Sequence, residues 1–117
     1  MVEESSYWVL QEVFVDSGVA GDLVECELNL KTASSLKKDG EKRLKVTVEI
    51  SGSLICGHEQ IANIRFVNVT KLSLNRKVTR ETILKRVTKK KVEELVSFLP
   101  LYLMKAGVVV KELSYEL

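Results

Sequence analysis

Apolar and polar residues alternate strictly through Arg43-Leu44-Lys45-Val46-Thr47-Val48-Glu49-Ile50-Ser51, which puts Leu44, Val46, Val48 and Ile50 on one face of an extended chain. A period of two marks a strand with one face in a core and the other in water. Residues 23–30 repeat the pattern with Val24, Cys26, Leu28 and Leu30 on one side, so Cys26 reads as a small core residue. Between them, residues 31–42 contain Ala33-Ser34-Ser35 and Lys37-Lys38-Asp39-Gly40, and this polar, Asp-Gly chemistry predicts a hairpin loop. Residues 7–15, rich in aromatic and β-branched side chains and closed by Asp16-Ser17-Gly18, predict a first strand with apolar residues on both faces. Residues 61–74 are also extended. Their inward parity shifts between Ile64/Phe66 and Val67/Val69 and returns at Leu72/Leu74, as a bulge or a strand buried on both faces requires. Ser51-Gly52-Ser53 and Cys56-Gly57-His58 punctuate the approach to it and predict a second hairpin.

Beyond Leu74 the period moves from two toward 3.6, with Thr79 as the N-cap and Glu81 in the first turn. Ile83, Leu84 and Val87 form one stripe; Val92, Leu95, Val96 and Leu99 form another, rotated around the axis. That rotation predicts a bend near residues 89–91 or two short helices, whereas the i,i+4 pairs Lys89/Glu93 and Lys90/Glu94 favour continuity. Pro100 is expected to kink or end the helix, Ala106-Gly107 to stop it, and residues 108–116 to form a last strand. The predicted fold is α+β: an antiparallel sheet of four to five strands, order β-β-β-β-α-β, with one long, kinked C-terminal helix on one face. One domain is expected over residues 1–117, a length that supports a single core and not two.

Composition narrows the class. At 45% hydrophobic and 29% charged residues the chain is that of a folded globule, not a disordered segment. No run of about 18 apolar residues is present, so no membrane span is expected. The acidic start Met1-Val2-Glu3-Glu4-Ser5-Ser6 lacks the features of a secretory signal, which predicts a cytoplasmic protein. The sequon Asn68-Val69-Thr70 is then a coincidence of strand composition, and Cys26 and Cys56, too few for a disulfide framework, are expected as thiols. Abundant Lys and Glu beside scarce Gln, Asn, His and Pro matches the bias of thermophilic proteins.

The net charge of +2 conceals a segregation. Residues 71–91 hold nine basic side chains against the single acid Glu81, net +8, and leave −6 on the remainder. Arg76, Lys77, Lys85, Arg86, Lys89 and Lys90 make a positive helical face suited to phosphates, with Tyr7, Trp8, Phe14 and Phe66 as aromatic candidates for base stacking. The plainer alternative is a solvated face whose lysines pair with acids of this chain or of an acidic partner protein.

Catalysis is poorly provisioned. His58 is the only histidine, the aspartates Asp16, Asp22 and Asp39 sit in or beside turns, and no HExxH, GxSxG, CxxC or Gly-rich phosphate loop is present. A Cys56–His58 nucleophile pair is the one enzymatic arrangement to weigh. Zinc held by Cys26, Cys56, His58 and Glu59 matches no structural spacing. No catalytic residue, metal or cofactor is therefore assigned.

Residues 95–104, Leu-Val-Ser-Phe-Leu-Pro-Leu-Tyr-Leu-Met, are apolar nearly all round, more than a helix covering one sheet needs. Leu95, Phe98, Leu99, Leu101, Tyr102, Leu103 and Met104 are thus the candidate oligomer or partner interface. The expected function is a non-catalytic, homo-oligomeric binding or adaptor protein. The alternatives are nucleic-acid binding through residues 71–91 and chaperone-like binding of apolar clients.

Overall fold

The computed structural model describes residues 3–15, 24–56, 59–73, 78–105 and 108–115, with the side chains of all but 4, 11–15, 24–25 and 59–62. The chain runs through β1 (Glu3–Val15), β2 (Val24–Lys38), β3 (Arg43–Cys56), β4 (Glu59–Ser73), α1 (Arg80–Lys105) and β5 (Val108–Tyr115). The strands form one curled five-stranded sheet in the order β1-β4-β3-β2-β5, which is not their order along the chain. Strands of 15 residues reach about 50 Å at ~3.3 Å per residue, and they set the 52 Å long axis of the molecule.

The α+β class matches expectation, but the sheet is mixed. β1–β4, β4–β3 and β3–β2 are antiparallel, whereas β5 lies parallel to β2, Val24 opposite Val108 and Leu30 opposite Tyr115. The helix explains this correction: a crossover between β4 and β5 returns the chain to the end from which β4 started, so β5 runs in the direction of β4, which is also that of β2.

The loop expected at residues 31–42 is mostly strand. β2 continues to Lys38, and the turn is confined to Asp39–Arg43, where the Asp39 amide donates to the Arg43 carbonyl at 2.9 Å and Gly40 takes φ +97°. Extended backbone suits any residue, so polar composition here marks an exposed surface and not a loop. Leu44, Val46, Val48 and Ile50 are wholly buried, and Cys26, Leu28 and Leu30 nearly so, as the alternation requires. Counting outward from the turn through Lys38/Leu44 to Glu27/Ile55 brings Cys26 opposite Cys56. The two are joined as a disulfide, Cα–Cα 4.2 Å, and are not the expected thiols.

β4 is the two-sided strand: Ile64, Phe66 and Leu72 face the helix, while Val67 and Val69 are buried in the opposite face. Asn68 and Thr70 interrupt the helix-facing row. Asn68 Nδ2 donates to Ser6 Oγ (3.0 Å) and the Tyr7 carbonyl (3.3 Å), and the Thr70 hydroxyl donates to Asn68 Oδ1 (2.5 Å). Buried in this way, Asn68 is not available to a glycan in the folded chain.

Thr79 caps α1, its Oγ1 accepting from the Thr82 amide at 3.2 Å. The helix neither breaks near residue 90 nor stops at Pro100. Ile83, Val87, Lys91, Leu95, Leu99 and Leu103 are buried at a strict spacing of four, which advances about 40° beyond a full turn at each step. The rotation of the stripe therefore fits one continuous helix to a twisted sheet. Pro100 removes one donor to the Val96 carbonyl, but Leu99 and Leu103 are buried on either side of it and hold the last turn in place.

Candidate functional site

The interface predicted at residues 95–104 divides into two sets. Leu95, Leu99 and Leu103 are at most 1% exposed and belong to the chain's own core. Phe98, Leu101, Tyr102 and Met104 keep 36%, 60%, 41% and 52% of their surface. Helical geometry explains the division, since 95, 99 and 103 continue the inward ridge and the others fall beside it. Phe98 and Tyr102 lean toward β1 and β4: Phe98 meets Trp8 (centroids 6.3 Å) and Phe66 (6.4 Å) edge-on, and Tyr102 meets Phe66 (6.4 Å) in the same way. Leu10, opposite Phe66 on β1, is 43% exposed. An open apolar surface thus runs from the end of α1 to the middle of β1.

Among the described residues β1 is an edge strand along its whole length, paired on one side only, with β4. Over 13 residues it has neither lysine nor proline; its charges are Glu3, Glu4 and Glu12, and the shifts in its register with β4 at Glu3/Ser5 and Leu10/Glu12 leave Ser5 to Leu10 as its regular, uncharged stretch. The other edge differs. β5 has eight residues with Lys111 and Glu112 exposed, and where it leaves β2 uncovered, from Lys31 on, that strand presents Lys31, Lys37 and Lys38.

A polar cluster ties β1 to the helix. Lys91, only 2% exposed, donates from Nζ to Glu3 Oε1 and Glu94 Oε2, both at 3.3 Å. Lys90 Nζ donates to Glu3 Oε2 at 2.9 Å, and Trp8 Nε1 to Glu94 Oε1 at 3.0 Å. The hydrogen bond from Lys90 holds the Glu3 carboxyl below its ordinary value, with Lys91 adding to it and burial opposing; the same bond raises Lys90. Sequence reading missed this cluster. Its one signal was Lys91 standing where the four-residue spacing calls for an apolar side chain.

Of the predicted phosphate-binding positions, Arg76 and Lys77 lie outside the described residues. Lys85 pairs with Glu81 at 3.7 Å and Lys90 with Glu3, while Arg86 and Lys89 are exposed. The aromatic candidates do not gather at that face: Trp8 and Phe66 lie against the last third of α1, and the Phe14 side chain is outside the description. Asp16, Asp22 and His58 also lie outside the described residues, and Asp39 sits 4.0 Å from Lys71 at the hairpin turn. With Cys56 bonded to Cys26, the Cys56–His58 pair has no thiol to act as nucleophile. No group of three or more metal-ligating side chains occurs among the described residues, and no described helix is long and apolar enough to cross a membrane. A concavity of about 490 Å³ on the face away from the helix is lined by Asn29, Lys31, Ser53, Asn63 and Arg65, with no histidine or carboxylate among the described residues that line it.

Comparison with protein-family models, with curated proteins and with solved structures finds no match for this chain.

Proposed function

We propose that this chain is a non-catalytic binding protein that assembles with copies of itself, joining through the free edge of β1 and the apolar surface beside it. The observation that carries the reading is the coincidence of a free edge, uncharged from Ser5 to Leu10, with exposed Leu10, Phe98, Leu101 and Tyr102 on the same flank. A free edge offers a row of unpaired amides and carbonyls, and a two-fold axis lets the same patch serve both partners. Antiparallel pairing about Val9 places Glu3 opposite Val15, Glu4 opposite Phe14 and Ser6 opposite Glu12, so no two carboxylates meet across the junction. Burying a fully exposed large apolar side chain contributes about 1.5–3 kcal/mol; these side chains, 36–60% exposed, contribute roughly half of that each, so several of them together drive association.

Light scattering on the purified chain at high micromolar concentration tests the reading. The wild type is expected as a dimer or larger. Leu10→Lys combined with Leu101→Lys, both at positions more than 40% exposed, is expected as a monomer with an unchanged far-UV spectrum. A strictly monomeric wild type refutes the proposal.

One observation favours a second reading, chaperone-like capture of apolar segments. Met104, 52% exposed, stands about 200° around the helix from Tyr102, on the flank of α1 opposite the one that Tyr102 takes against Phe66. Pairing along β1 leaves Met104 open. On this reading the protein slows aggregation of a reduced, unfolded test protein and Met104→Glu removes the effect; no slowing by the wild type ends it.

A further inference from the structure

The face of the sheet opposite the helix carries a line of like charges. Lys37 pairs with Lys45 across β2 and β3, Lys45 with Lys71 across β3 and β4, and Lys71 with Ser5 on β1. At about 4.8 Å between strands, three ammonium stems fall within about 10 Å of one another. Like charges directly opposite each other weaken a sheet. Among the described residues neither Lys37 nor Lys45 forms an ion pair, and Lys71 has only Asp39, at 4.0 Å. Guarding an edge explains Lys37, which lies where β5 no longer covers β2. It does not explain Lys45 in the central strand, or Lys71 in a strand covered by β1. The adjoining row supplies hydroxyls at Ser35 and Thr47, then Val69, then Tyr7, whose side chain is half exposed.

We infer that this face docks single-stranded nucleic acid, with Lys37, Lys45 and Lys71 on successive phosphates and Tyr7 as the platform for a base. Charge complementarity selects a polyanion, because three cations in line neutralise neighbouring phosphates and release their counterions. The open aromatic ring beside them selects a nucleic acid over an acidic protein segment, which has no use for a stacking surface. The site is separate from the apolar flank of β1 and α1 and does not depend on it.

The test is fluorescence anisotropy of a labelled single-stranded 20-mer between about 50 and 300 mM salt, a sixfold range, with the wild type and four variants. The wild type should bind at low salt and weaken steeply as salt rises. Lys45→Thr, and Lys37→Thr with Lys71→Thr, should flatten the log–log salt slope by about 0.7 for each lysine removed. Tyr7→Ala should weaken binding about tenfold with the slope unchanged. Lys45→Thr should also raise the Tm of the protein without nucleic acid, because it breaks the line of repulsion. A lysine line that is merely solvated surface does not combine a gain in stability with a loss of binding. Three outcomes overturn the inference: no binding at the lowest salt; polyglutamate competing as well as the oligonucleotide while Tyr7→Ala has no effect, which makes an acidic protein segment the partner; or binding lost only in Lys85→Glu with Lys89→Glu, which moves it to the helix.

Discussion

Lys91 occupies a position that the buried stripe of α1 reserves for apolar side chains, and two carboxylates, Glu3 and Glu94, make that tolerable. A buried cation that loses a partner costs far more than an exposed one, because the remaining charge keeps its desolvation penalty. Glu3→Gln is expected to lower stability by about 1–2 kcal/mol, read from the urea midpoint at neutral pH. The sign of the pH dependence follows from the shifts. Glu3 is held below its ordinary 4.5, so its contribution is present above that pH and lost as pH falls through the lowered value in the folded chain. Lys90 is raised above 10.5, so its contribution is present below that pH and lost only at higher alkalinity. The wild-type Tm should therefore drop below about pH 4.5 more steeply than that of Glu3→Gln, and high salt should narrow the difference, because Lys90 is 64% exposed. Equal acid limbs for the two proteins would remove Glu3 from this role.

Among the elements, the β2–β3 hairpin shows best how register decides chemistry. A turn confined to Asp39–Arg43 fixes every pair out to Glu27/Ile55, and the next pair is Cys26/Cys56, 30 residues apart in sequence. Joining them closes the far end of the hairpin and limits the unfolded chain, an effect worth about 2–4 kcal/mol for a loop of this length. Denaturation with and without dithiothreitol should show a lower Tm in the reduced protein, and Cys26→Ser with Cys56→Ser should reproduce the reduced value with no further response to reductant. A Tm indifferent to reductant would mean that the bond adds nothing to the fold. The helix holds a parallel lesson. Two stripes that look incompatible with one straight rod are a single ridge with a four-residue step, matched to a sheet that twists beneath it.

At the scale of the molecule, length and charge run along the same axis. The hairpin end gathers Lys37, Lys38, Lys42, Arg43, Lys45 and Lys71, and the N-terminal part of α1 lies near it, with Arg86 and Lys90 beside Glu3 and Leu72. β5, whose Lys111 and Glu112 offset each other, extends along the opposite half. The two edges are likewise unequal in length, β5 with eight residues and β1 with 13. If copies join along β1, the alternate backbone amides between Tyr7 and Leu10 that point away from β4 gain partners that a lone subunit lacks. Amide exchange in that segment should then be slow in the wild type and fast in the Leu10→Lys/Leu101→Lys monomer, while β3 exchanges slowly in both. Fast exchange of β1 in an assembled wild type would place the junction elsewhere.

Much of this architecture is local and so was written in the order of residues. The alternation of β3, the cap at Thr79 and the change of period after β4 each depend on neighbours within a turn or a strand, and each leaves a direct trace in the sequence. What depended on contacts between distant segments left none. The parallel direction of β5, the extension of β2 through polar residues, the Cys26–Cys56 bond, the burial of Lys91 and the assignment of Leu99 to the core but Leu101 to the surface were all decided by which strand lies beside which and how far the sheet twists. Hydrophobic periodicity records which face of an element avoids water; it carries no record of what covers that face, because any apolar neighbour satisfies it equally.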